Sequence, residues 1–222
     1  MAKQSSPTQK MLFWWGLILF AWAAYRFEFK MSMGIYFDEF IAKPVVFILP
    51  IIYFIKRIEK KDFFEEISIK VKTFNEDIIL GLGVGIAIFA ILLFSVKMPV
   101  LQANFNKIVS TQNILLVILT AFATSISEEI LSRGFVLKRL YDESKNTITS
   151  SFFASVLYFF LQVPILFSND KIVGSSLLGV MVADVLFSLA ISYVFLTRKS
   201  LILPILIHAF YILSLYLYLG FS

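Results

Sequence analysis

Glu128 and Glu129 are adjacent carboxylates inside a largely apolar run, in the stretch Ser125-Ile-Ser-Glu-Glu-Ile-Leu-Ser-Arg133. On a helix, Glu129 and Arg133 stand four apart on one face and can pair, while Glu128 points about 100° away. Glu128 is therefore expected to lack a local partner and to face a cavity. Two neighbouring carboxylates repel, and a nearby guanidinium offsets part of that repulsion, so the cluster suits a group that holds or takes a proton. For Glu129 and Arg133 there is a second reading, a salt bridge that closes a helix bundle.

Three more polar side chains interrupt apolar stretches. His208 lies in Leu-Ile-Leu-Pro-Ile-Leu-Ile-His-Ala-Phe, Gln162 in Tyr-Phe-Phe-Leu-Gln-Val-Pro, and Asp184 in the run before Arg198. Ionisable groups at membrane depth cost at least ~2.5–3.5 kcal/mol each on insertion scales, so each one calls for a reason. Depth can be compared at 1.5 Å per helical residue. Glu128 is ~15 Å from Lys138 and His208 ~14 Å from Lys199, so the two can share one layer, and Gln162, ~16 Å from Ser151, joins them if the hydrocarbon begins near Ser151. Asp184, ~21 Å from Arg198, is deeper. It reads either as a cavity carboxylate or as a hydrogen-bond partner between helices.

These residues need helices to position them, and the composition says in what solvent. The chain has 222 residues, of which 59% are hydrophobic, and a mean hydropathy of +0.85. Soluble domains are usually about 45–50% apolar. The expected fold class is all-α: a polytopic transmembrane bundle of about seven spans plus one interfacial amphipathic helix. The spans are expected near 11–25, 41–55, 77–96, 113–137, 150–168, 172–197 and 201–221. The amphipathic segment runs from Glu59 to Asn75, where Phe63, Phe64, Ile67, Ile69, Val71 and Phe74 are interleaved with Lys and Glu. The first run follows Lys3 and Lys10 as a signal peptide would, but Trp14, Trp15 and Trp22 mark it as a retained span.

The net charge of +5 is no sign of nucleic-acid binding, because most Lys and Arg sit in short connections between apolar runs. In a seven-span arrangement thirteen of them fall on the N-terminal side and five on the other, with Lys43 and Arg133 inside spans. By the positive-inside rule the N-terminus is cytoplasmic and the C-terminus outside, in an integral protein of the cell membrane. The absence of cysteine excludes disulfides and thiolate chemistry, and a single histidine excludes a zinc site of two or three imidazoles. No metal or cofactor is expected.

The chain resembles the CAAX prenyl protease and bacteriocin-processing family, the CPBP or Abi family of glutamate-dependent intramembrane proteases, from about Phe40 to the C-terminus. The first motif, two glutamates with arginine after three more residues, stands as Glu128-Glu129-Ile-Leu-Ser-Arg133 and continues into Gly134-Phe135. The second, an aromatic residue with histidine four later, stands as Tyr158 and Gln162, so the histidine is replaced. The third, histidine with asparagine or aspartate four later, stands as His208 and Ile212 after Thr197-Arg-Lys-Ser-Leu-Ile-Leu-Pro. The resemblance implies an N-terminal span and loop over 1–40 and a protease core over 41–222. It also implies roles: Glu128 as the base that activates water, Glu129 with Arg133 as its support, His208 as an oxyanion donor, and Gln162 as a group that positions water. Gln162 cannot take the proton, and Ile212 cannot donate a hydrogen bond; Tyr211, one turn from His208, is a possible replacement donor.

The function so implied is an intramembrane endopeptidase that hydrolyses a peptide bond of a membrane-associated or lipidated protein, with no metal. Two alternatives remain: an inactive descendant that binds a peptide or lipid partner in bacteriocin immunity or as a scaffold, and a proton-coupled transporter using Glu128, Glu129 and Asp184.

Overall fold

Two prolines shape the helix that delivers the least expected residue of the site. Pro44 and Pro50 each remove a backbone N–H from the ladder, and the chain from Ile35–Phe37 to Phe54–Glu59 answers with wide, π-helical turns at Asp38–Ala42, Pro44–Ile48 and Phe54–Glu59 around a regular turn at Leu49–Tyr53. We call this interrupted rod α2. The structure is a computed structural model, which describes residues 6–29, 33–69, 73–95, 98–111, 113–167 and 174–219.

Among the described residues the fold is entirely helical. α1 is Pro7–Phe29, α3 the short Phe63–Glu66, α4 Phe74–Ser95 and α5 Met98–Thr111. α6 runs through Ile114–Glu129, a π-helical stretch Ile130–Leu137, and Lys138–Ser144. α7 is Thr147–Phe167, α8 Ser175–Arg198 and α9 Ile202–Leu219. Four helices are long and apolar enough to cross a membrane, over Phe74–Ile91, Ile114–Ser144, Thr147–Leu166 and Leu177–Arg198, and Ile202–Tyr218 is a shorter apolar helix. Large apolar side chains such as Phe20, Ile86, Phe94 and Leu186 stand exposed on the outside, as lipid contact requires. The protein is an integral membrane protein.

The stretches expected as spans at 11–25 and 41–55 are helical, in α1 and α2, but neither is among those four helices. Two elements differ from expectation. α5 occupies a stretch whose polar content marks it as a connection, and it is kept helical by burying Leu101 and Ile108 while Asn104 donates to the carbonyls of Leu217 and Tyr218. The interfacial segment is helical only over Phe63–Glu66, capped by Asp62. Val71 of its apolar series, the span ends at 96, 168, 172–173 and 220–221, and six of the orienting lysines (Lys3, Lys30, Lys70, Lys72, Lys97 and Lys171) lie outside the described residues.

Three contacts hold the frame around the site. The buried pair Arg26 and Asp38, with Tyr25 also donating to Asp38, ties α1 to the start of α2. Arg139 bonds Glu59 and lies over Phe54 and Phe135, which fixes the far end of α2 to α6. Among the described residues α4 and α9 form the most extensive helix pair. There Gly81 and Gly85, four apart, allow close approach: a Cβ on Gly85 would stand 2.3 Å from Cδ2 of Phe210, and one on Gly81 2.7 Å from Leu206.

Gly85→Ala is expected to lower the unfolding midpoint in lipid, by overpacking of about 1–3 kcal/mol, and to displace α9 with its histidine. Gly83 serves as the control, since a methyl group there would have nothing within 4 Å and Gly83→Ala meets open space. Equal midpoints for the two variants would show that α4 and α9 are not held at this distance.

Candidate active site

α6 carries the acidic pair at the junction where its regular turns give way to the π-helical stretch. Glu128 is 4% exposed, Glu129 0% and Arg133 1%. As the four-residue spacing predicts, Arg133 Nη1 donates to Glu129 Oε1 at 2.9 Å. Its Nη2 reaches α8, donating to the backbone oxygen of Ser188 at 3.2 Å and to its hydroxyl at 3.0 Å, and Ser188 donates onward to Ser155 of α7. The guanidinium also lies over the Tyr158 ring, 4.8 Å from its centroid. The bidentate fork of arginine is what lets one side chain join three helices.

His208, from α9, comes to the same carboxylate. Its Nδ1 lies 2.8 Å from Glu129 Oε1. A carboxylate only accepts, so Nδ1 carries the proton and Nε2 is left facing Tyr158 Oη at 3.5 Å and Glu128 Oε2 at 3.8 Å. The second oxygen of Glu129 has no hydrogen-bond partner among the described residues.

Among the described residues Glu128 has no side-chain partner on its own helix, as its spacing predicts. It is not left without partners: Tyr158 Oη donates to Oε2 at 2.8 Å, Gln162 Nε2 donates to the same oxygen at 2.7 Å, and Lys43 Nζ lies 2.7 Å from Oε1. Local spacing showed no neighbour because the partners come from α7 and α2, the lysine from 85 residues away. Lys43 is 2.7 Å from Glu39 Oε2 as well, one helical turn back, and the Thr124 hydroxyl of α6 donates to that oxygen at 2.7 Å. Lys43 and Glu39 were absent from the sequence-derived site. Their signal was available, because a lysine four residues after a glutamate, at the edge of an apolar run, is costly in lipid and asks for a partner.

Glu128, Glu129, Arg133, Gln162 and His208 meet in one buried cluster. Asp184 takes the second of its two readings, as an interhelical partner, accepting from Tyr211 Oη at 2.9 Å, with Phe187 stacked on Tyr211 at 4.1 Å between ring centroids. That bond commits the Tyr211 hydroxyl to Asp184, so it does not replace the donor missing at the buried Ile212.

Fold and site together define a helical membrane protein with a buried acid cluster built on α2, α6, α7 and α9. Over residues 110–213 the chain matches the family model described as type II CAAX prenyl endopeptidase Rce1-like, so this segment is Rce1-like, in agreement with the resemblance carried by the three motifs. The matched segment holds Glu128, Glu129, Arg133, Gln162 and His208, but not Glu39 or Lys43. The family is one of proteases, which hydrolyse peptide bonds. No curated protein and no solved structure matches the chain. Among the described residues, no group of three or more His, Asp or Glu side chains is arranged to hold a metal ion.

Proposed function

We propose that the chain is an intramembrane endopeptidase that cuts a peptide bond of a membrane-associated or lipidated protein, with water activated on Glu128. The observation that carries this reading is the meeting of Glu128, Gln162 and His208 in one buried layer inside the Rce1-like segment. In the mechanism, Gln162 and Tyr158 hold Oε2 of Glu128 in place, so the carboxylate is oriented before substrate arrives. Water held against Glu128 gives up a proton as its oxygen attacks the carbonyl carbon. His208 stands on the facing helix with Glu129 fixing its ring; as the imidazolium, its second proton taken from solvent before substrate binds, it donates from Nε2 to the oxygen on which charge develops. Arg133 locks Glu129 and thereby the imidazole.

The test is cleavage of a panel of membrane-anchored and lipidated peptides by the purified protein in lipid, comparing wild type with Glu128→Gln and adding a chelator control. Chelator-resistant cleavage that disappears in the variant supports the reading.

One observation favours a second reading. Both oxygens of Glu128 are engaged by Lys43, Tyr158 and Gln162, and the last motif position is the apolar Ile212, an arrangement that also serves a descendant that binds a peptide or lipid without cutting it. No cleavage across the panel by the folded protein, with a related active enzyme working alongside, would favour it.

The orientation with the N-terminus in the cytoplasm and the C-terminus outside follows from the thirteen-to-five distribution of basic residues. A chain without cysteine makes this testable, since a single cysteine introduced beside Pro7 should be shielded from an impermeant maleimide in whole cells and one beside Ser222 should be labelled. The reverse pattern would invert the topology.

A further inference from the structure

Glu128 has a basic neighbour that the Rce1-like segment does not contain. Lys43 is 2% exposed, with Nζ 2.7 Å from Oε1 of Glu128 and 2.7 Å from Oε2 of Glu39. An ammonium has three N–H donors, so these two contacts leave one N–H to spare. If Lys43 served only to neutralise Glu128, one carboxylate would suffice. The buried cluster instead sets two carboxylates on one ammonium, and Thr124 fixes the farther of them. Glu39 can therefore hold the lysine in place while its contact to Glu128 changes.

Peptide hydrolysis needs a second proton transfer, to the departing amine. Gln162 cannot perform it, because an amide neither gives nor takes a proton at neutral pH. Two nitrogens lie near a proton taken up by Glu128: Nζ of Lys43, which can accept it once it has passed its own proton on, at 2.7 Å from Oε1, and Nε2 of His208 at 3.8 Å from Oε2. Oε2 is already held by two donors, so the lysine side is the shorter and less obstructed route.

We propose that Lys43 is the general acid of the reaction, an inference that rests on the endopeptidase reading above. Water oxygen bonds to the carbonyl carbon while one of its protons passes to Glu128. The carbon–nitrogen bond then breaks as Nζ gives a proton to the leaving nitrogen. Lys43, now neutral, takes the proton from Glu128 across their contact. One water is consumed, an acid and an amine are released, and both side chains return to their starting states.

The test uses the full chain in lipid with a peptide that wild type cleaves. Lys43→Arg keeps the charge but holds its proton too tightly to pass it on, and is expected to lose at least about 10²-fold in kcat. Lys43→Ala is expected to fall as far and to recover about 10-fold with methylamine or ethylamine, in a saturable manner that wild type does not show. Because Lys43→Ala strands two buried carboxylates, the double variant Glu39→Gln/Lys43→Ala, with one carboxylate fewer, repeats the rescue in a protein with less uncompensated charge. Full kcat in Lys43→Arg, or no rescue in a folded alanine variant, overturns the role of Lys43; with Glu128→Gln inactive in the same assay, the endopeptidase reading survives. Wild type that cuts nothing in the panel overturns both.

Discussion

Glu128→Gln is expected to lower kcat/KM for peptide cleavage by about 10²–10⁴-fold while the unfolding midpoint stays close to wild type. Glutamine has the shape of glutamate, and its carbonyl oxygen can still accept from Lys43. The ammonium is not stranded, because Glu39 remains 2.7 Å away. On the other side, the new amide nitrogen would meet the donors of Tyr158 and Gln162, but the Gln162 amide can turn to present its oxygen and the tyrosine hydroxyl can rotate. What disappears is the ability to take a proton from water. A folded Glu128→Gln variant that cuts as fast as wild type would remove this carboxylate from the chemistry, and the cluster would then have to be read as a structural or binding element.

The parts of this site that local spacing can encode were legible. Four-residue spacing gave the Glu129–Arg133 pair, and helical rise allowed a shared depth for Glu128 and His208, because both depend only on the geometry of single helices measured from charged ends. The partners of Glu128 were not legible. Lys43 reaches it across 85 residues and from a helix whose regular turns are interrupted around two prolines, so no periodicity in either segment predicts the contact. The division at residue 40 had the same effect, since it separated Glu39 from the lysine one turn along that it supports. At the level of the fold, strongly apolar runs announced themselves, whereas α5, with Gln102, Asn104 and Lys107 on a helix that buries little more than Leu101 and Ile108, did not. Its helical state depends on neighbours, chiefly α9, and a single stretch of sequence carries no record of them.

Arg133→Met should be strongly destabilising, by about 3–5 kcal/mol, read as a lower unfolding midpoint in lipid. The methionine fills much of the same space, so the loss is electrostatic. Glu129 is fully buried, its Oε2 has no partner among the described residues, and without arginine its Oε1 keeps only His208. Ser188 loses a donor on its backbone oxygen and another on its hydroxyl, which loosens α8 from α6. Arg133→Lys should fall between, because one ammonium cannot span Glu129 and Ser188 as the fork does. The origin of the cost is tested by adding Glu129→Gln to Arg133→Met. If a stranded carboxylate is responsible, the double variant recovers most of the lost stability, and yet it should cleave poorly because the imidazole of His208 no longer faces an anion. A double variant as unstable as Arg133→Met would instead assign the loss to Ser188 and to the contact with the Tyr158 ring, and would make the arginine a link between helices before it is a support for the acid pair.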